Sequence, residues 1–190
     1  MTPNNDVSLE VQRRIQTANR CFFGLCKQLQ SRHLSRATKY TIYKTLIRPV
    51  LLYGNETWVL TRREENQLLV FERKVLRTIC GPKNENGVFR RRYNFELERE
   101  FNSPSVINVV KRNRLRYAGH MIRRPEDLPQ KAIFIAKPQG TRRQGRPRSR
   151  WADGVSSDSR AIGALDWTNR ARDREQWRVF LQQALTYRWL

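Results

Sequence analysis

Long apolar runs are missing from these 190 residues. The longest, Ala132-Ile133-Phe134-Ile135-Ala136, falls far short of the roughly 20 residues needed to cross a bilayer, so no membrane partner is expected. The first ten residues carry neither the basic region nor the apolar stretch of a secretory leader. Cysteine is scarce. Three thiols cannot build a disulfide framework and suit a reducing, intracellular setting. Acid is scarce as well: 17 Asp and Glu face 38 Lys and Arg, for a formal charge of +21. Self-repulsion at that charge is tolerable mainly beside a polyanion. The basic runs also permit nuclear import. Leu, Ile, Val and Phe still make up about a quarter of the chain, above the roughly 20% floor for highly charged disordered sequences.

The residues that bond-making chemistry requires are also thin. Cys21 and Cys26 have no zinc-pair spacing, and Cys80, His33 and His120 lie far apart. No Gly-x-Ser-x-Gly, Walker loop or Gly-x-Gly-x-x-Gly is present. Two-metal polymerase or nuclease chemistry needs carboxylates clustered around ions about 4 Å apart. The aspartates, Asp6, Asp127, Asp153, Asp158, Asp166 and Asp173, are scattered, and none forms an adjacent pair after an aromatic residue. The expectation is no catalytic centre, no metal and no cofactor: the chain itself is not an enzyme.

Helical periodicity is plentiful. Val11, Ile15, Ala18, Phe22, Leu25 and Leu29 recur every three or four residues, which predicts one amphipathic helix over Val7–Gln30 with Asp6 or Ser8 as cap. Ser35 is expected to cap a second helix carrying Ile42, Tyr43, Leu46, Ile47, Val50 and Tyr53, with a kink or an early stop at Pro49. Thr61-Arg62-Arg63-Glu64 fits a capping box opening a third, with Leu68, Phe71, Val75, Leu76 and Ile79 as its stripe and Gly81-Pro82 as its stop. A polar turn at Lys83–Gly87 and a short helix at Asn94–Phe101 follow. Ser103-Pro104 is expected to open another, through Ile107, Val110, Leu115, Ala118 and Ile122. Lys131–Ala136 is the one candidate strand. Pro138–Arg150 reads as an exposed basic loop, and helices over Arg150–Ala161 and Thr168–Tyr187 close the chain. The expected class is mainly α: a small helical bundle over 1–82, a helical connector over 83–128, and over 129–190 a basic loop with Trp-bearing helices.

From Lys111 to Arg150 thirteen basic residues meet only Glu126 and Asp127, a net +11. Arginine dominates, and its planar fork suits phosphate better than lysine does. The candidate nucleic-acid contacts are Arg112, Arg114, Arg116, Arg123, Arg124, Arg142, Arg143, Arg146, Arg148 and Arg150. Gly145-Arg146-Pro147 partly resembles the AT-hook, which sets an arginine in a narrow minor groove, though Gln144 stands where an arginine is usual. Trp151, Trp167, Trp177 and Trp189 could stack on bases. Beside Leu165, Val179, Phe180 and Leu181 the first three are expected to form a small core instead. The sequence does not separate RNA from DNA.

Several segments recur in a recognisable order. Gln12-Arg13-Arg14-Ile15-Gln16-Thr17-Ala18 precedes Tyr43-Lys44-Thr45-Leu46-Ile47-Arg48-Pro49-Val50-Leu51-Leu52-Tyr53-Gly54-Asn55-Glu56-Thr57-Trp58. Phe71-Glu72-Arg73-Lys74-Val75-Leu76-Arg77 and Arg114-Leu115-Arg116-Tyr117-Ala118-Gly119-His120 come next. Gly145-Arg146-Pro147-Arg148-Ser149-Arg150-Trp151 and Ala171-Arg172-Asp173-Arg174-Glu175-Gln176-Trp177-Arg178 complete the series. Together they resemble the C-terminal part of reverse transcriptases from non-LTR (LINE-type) retrotransposons. The resemblance implies a thumb over Val7–Gly81 gripping template–primer duplex, then an accessory basic segment holding template RNA or target DNA. It also implies that endonuclease, fingers and palm, with their metal-binding aspartates, belong upstream of this segment. The expected function is nucleic-acid binding by a reverse-transcriptase fragment without its active site. The alternatives are an accessory subunit working with another chain's palm, and a non-functional product of a truncated element.

Overall fold

A computed structural model describes residues 6–136 and 150–189 of the chain. The described residues are mainly helical, and they divide into two compact units. One comprises residues 1–54 and 60–107, the other 55–59 and 108–190, where the sequence suggested breaks after residues 82 and 128.

In the first unit, helix α1 (Val7–Gly24) opens at Asp6, whose carboxylate accepts from the backbone N–H of Ser8 at 2.9 Å. It ends earlier than its stripe suggests. The Leu25 N–H is shared between the carbonyls of Cys21 and Phe22, at 3.2 Å each, and the separate helix α2 (Cys26–Gln30) follows. The stripe survives the break, since Phe22 and Leu29 are both buried. Helix α3 (Arg36–Ile42), capped by Ser35, runs into a π-helical turn at Tyr43–Ile47 before α4 (Arg48–Leu51). Pro49 explains the turn. It offers no N–H and its ring crowds the preceding carbonyls, so the helix widens one turn earlier and the Arg48 N–H reaches back to Tyr43.

Helix α5 (Arg62–Cys80) carries the capping box: Glu64 accepts from the Thr61 N–H at 2.6 Å and from its hydroxyl at 2.9 Å. All five residues of its expected stripe are buried. Gly81, at φ 68°, stops it in a conformation that favours glycine. The expected polar turn at Lys83–Gly87 is instead the first strand and the tip of a β-hairpin, β1 (Lys83–Glu85) against β2 (Val88–Arg90), with Asn84 opposite Phe89. Asn86 and Gly87 both take positive φ, the geometry that a two-residue Asn-Gly hairpin turn requires.

Helix α6 (Asn94–Phe101) lies where its pattern put it, and Asn102 ends it in the left-handed region. Helix α7 (Val106–Ile122) starts later than Ser103-Pro104 suggests. The Val106 N–H donates to a buried carboxylate, Glu72 Oε2, at 2.9 Å, so an acid on α5 does the work expected of Ser103.

Glu72 is the polar centre of this unit's core. It also accepts from the Tyr43 hydroxyl at 2.8 Å and faces the Arg48 guanidinium at 3.9 Å. Burial, opposed by Arg48 and these hydrogen bonds, leaves its carboxyl above the ordinary value of 4.5. A folded-state pKa above the unfolded one gives a contribution that is complete below about pH 4.5. It is then lost as pH rises through the raised value. Carboxyl ¹³C NMR titration should accordingly find Glu72 titrating above 4.5. A midpoint at or below the ordinary value would refute this assignment.

The second unit is built on tryptophan: all five lie within its residue ranges. Lys131–Ala136, the candidate strand, is helical instead, within α8 (Pro129–Ile135). A short apolar run cannot distinguish a strand from a buried helical face. Here Pro129 supplies a helical first residue, and the Lys131 ammonium donates to the carbonyls of Ile122 and Arg124 at the end of α7. Helix α9 (Trp151–Ala161) ends before Gly163. The expected closing helix is two, α10 (Trp167–Arg172) and α11 (Arg174–Thr186). Asp173 separates them by capping α11, accepting from Glu175 and Gln176 at 2.9 and 3.1 Å. Trp167 and Trp177 are buried among Leu115, Val155, Phe180 and Ala184, with Trp151 and Trp189 packed against that core. The indoles are therefore largely committed to packing, as expected for Trp151, Trp167 and Trp177.

Candidate nucleic-acid interface

Helix geometry sorts the arginines of α7. Arg112, Arg116 and His120 follow one another at intervals of four, so they form one ridge along the helix, and Arg124, two residues past its end, is tied to that ridge through His120. Arg114, two residues from Arg112, points about 200° away. It is buried, with Nε 3.0 Å from Asp158 Oδ2, a second bond from Nη2 to the same oxygen, and Nη1 3.3 Å from the Trp58 carbonyl. That corrects its assignment as a phosphate contact. Its guanidinium already has a buried counter-ion and a buried acceptor, so no external phosphate reaches it.

The ridge is different. Arg116 and Arg124 are exposed, and Arg112 is half-buried. None of the three is ion-paired to a carboxylate among the described residues. Arg124 donates to His120 Nε2 at 3.2 Å. Arg112 Nε is buried with no hydrogen-bond partner among the described residues. Burial and the neighbouring Arg116 charge together lower its pKa. Arg123 is anchored at one nitrogen by the Ala171 carbonyl, at 2.6 Å. Burial and Arg174 lower its pKa in the same way. Like charges held side by side are an arrangement that an added anion relieves.

Arg150, just before α9, is exposed. Arg142, Arg143, Arg146 and Arg148 lie outside the described residues, as does most of the expected basic loop. Among the described residues no three His, Cys, Asp or Glu side chains gather into a metal-binding group. No described helix is long and apolar enough to cross a membrane.

The first unit adds cations that a search for arginine-rich stretches passes over. On and beside the hairpin, Phe89, Tyr93 and Phe95 are exposed, with the Tyr93 and Phe95 rings stacked at 5.8 Å. Arg90 lies 4.4 Å over the Tyr93 ring and is also bonded to Glu85 and Glu96, while Arg91 is exposed. The available signal was the spacing of aromatics among Arg90-Arg91-Arg92, which is short enough to pass for solvated surface. Exposed rings beside arginine have the composition of a base-stacking surface.

A Caenorhabditis elegans protein named "putative uncharacterized transposon-derived protein" is 22% identical to the chain over 193 aligned residues, covering 96% of this chain and 67% of that protein. No protein-family model matches the chain, and no solved structure does.

Proposed function

From a transposon-related origin, supported by that relative, we propose that this chain is a nucleic-acid-binding portion of a non-LTR reverse transcriptase. Its first unit would correspond to the thumb and its second to the segment beyond, with polymerisation carried out by a palm that these residues do not supply. Binding is independent of sequence. Arginines meet phosphates, and the gain comes from released counterions. The observation that carries this reading is the α7 ridge and the turn just past it, where Arg112, Arg116 and Arg124 stand without carboxylate partners among the described residues of a chain with formal charge +21. RNA and DNA, as template–primer or target duplex, are the proposed partners.

Duplex affinity should therefore fall steeply with salt, the log–log slope being about −0.9 per phosphate neutralised. Replacing Arg116 and Arg124 together with Gln should flatten the slope by up to about 1.8. Alanine at Arg142, Arg143, Arg146, Arg148 and Arg150 should flatten it further. Fluorescence anisotropy across a salt series reads both, and slopes unmoved in either variant would overturn the proposal. Primer extension by the isolated chain with magnesium would instead favour a working polymerase.

A further inference from the structure

The first unit holds a second cationic feature, away from α7 in sequence and different in kind. A cleft of about 710 Å³ opens between the end of α5 and the start of α3, within the roughly 300–1,000 Å³ range of small-ligand sites. Its wall includes Arg32, Arg36, Lys39, Arg77, Cys80 and Gly81, and no carboxylate. Arg36 is exposed and has one nitrogen on Glu100 at 3.0 Å. Arg77 gives one nitrogen to Asn94 Oδ1 at 2.6 Å, while its buried Nε has no partner among the described residues.

Lys39 is the decisive residue. Only 7% of it is exposed, and no hydrogen bond or ion pair joins its ammonium to a described residue. A cation carried on a largely buried stem, among arginines and with no carboxylate in the surrounding wall, favours an added anion, and Lys39 lines the cleft through which one would come.

We infer that this cleft is a phosphate-monoester site, holding a free phosphate compound or the phosphate at the end of a nucleic-acid strand. Lys39 would supply the point charge at its base, with Arg32 and Arg77 supplying further donors. An internal phosphodiester has a sugar on both sides and approaches a recessed ammonium poorly. A monoester carries more charge and has a free end to insert. The strand-end form rests on the nucleic-acid reading above, whereas the free-ligand form does not.

The test uses the full chain and two probes. Isothermal titration with inorganic phosphate at constant ionic strength should show one site in the wild type and none in Lys39→Met, a variant of similar shape without the charge. Thermal melting in phosphate-free buffer should find Lys39→Met folded and at least as stable, because it removes one of several like charges lining a wall that holds no carboxylate. Anisotropy should give a 5′-phosphorylated oligonucleotide about tenfold tighter binding than its 5′-hydroxyl counterpart if the ligand is a strand end. Equal affinities, with phosphate titration still dependent on Lys39, assign the cleft to free phosphate compounds. Phosphate binding unchanged in Lys39→Met, or absent from the wild type, overturns the site. If neither oligonucleotide binds while phosphate does so through Lys39, the nucleic-acid proposal fails and this one stands.

Discussion

Replacing Asp158 with Ala should cost the second unit about 3–5 kcal/mol of unfolding free energy, the usual penalty for stranding half of a buried ion pair. Arg114 and Asp158 are 6% and 5% exposed, so water cannot take over when one is removed. The guanidinium would keep only the Trp58 carbonyl at 3.3 Å as its acceptor. Lys111, 3.6 Å from Asp158 Oδ1, would lose the same neutralising charge and add repulsion. All five tryptophans belong to this unit, so urea unfolding followed by tryptophan fluorescence reports its stability separately from the other. Arg114→Met with Asp158→Leu should recover most of the loss, because removing both charges leaves nothing stranded. A single-variant loss below about 1 kcal/mol, in the range of an exposed pair, would refute the buried-pair account.

Gly119→Ala should be the second severe change. A Cβ built at Gly119 falls 2.0 Å from Trp177 Nε1 and 2.5 Å from its Cδ1, far inside van der Waals contact. Trp177 is 1% exposed, and its Nε1 has no hydrogen-bond partner among the described residues, so the indole lies flush against the α7 backbone without room to retreat. Alanine would normally gain about 1 kcal/mol over glycine inside a helix. Overpacking costs about 1–3 kcal/mol and sometimes more, and with a whole ring displaced the second effect should win by about 2 kcal/mol. A smaller ring in Trp177→Phe should relieve part of the clash, making the double variant more stable than the sum of the singles. Circular dichroism melts of all four proteins check this. A Gly119→Ala chain at least as stable as the wild type would show that the indole moves freely.

These two sites show what the sequence discloses and what it does not. The stripe on α5 and the Asn94–Phe101 helix were legible because periodicity and capping are local. The breaks at Leu25 and Asp173 were not, since the apolar pattern continues across both while the hydrogen bonding changes. The start of α7 depended on Glu72, 34 residues away in the chain, and no window spans such a distance. The strand expected at Lys131–Ala136 failed because Lys131 is recruited by the end of α7. At the candidate interface, counting arginines cannot tell Arg112 and Arg116 from Arg114, because only the helical phase separates them. Gly119 was visible as part of Tyr117-Ala118-Gly119-His120, yet its reason is a ring from residue 177. The cleft around Lys39 was invisible: its cations come from separate segments and form no run.

The chain passes between its two units three times, because Asn55–Val59 belongs with the residues after 107. That short insert is bound by its main chain as well as by side chains. The Trp151 indole donates to the Glu56 carbonyl at 2.8 Å, Arg114 to the carbonyl of Trp58, and Asn113 to the Asn55 side chain at 3.2 Å. No single proteolytic nick or stop codon can therefore release either half intact. Cleavage near residue 107 would tear away the acceptors that Arg114 and Trp151 need and leave an indole stranded on the other fragment. Such interlacing favours inheritance of both halves together, and shuffling them with unrelated partners would require carrying five borrowed residues along.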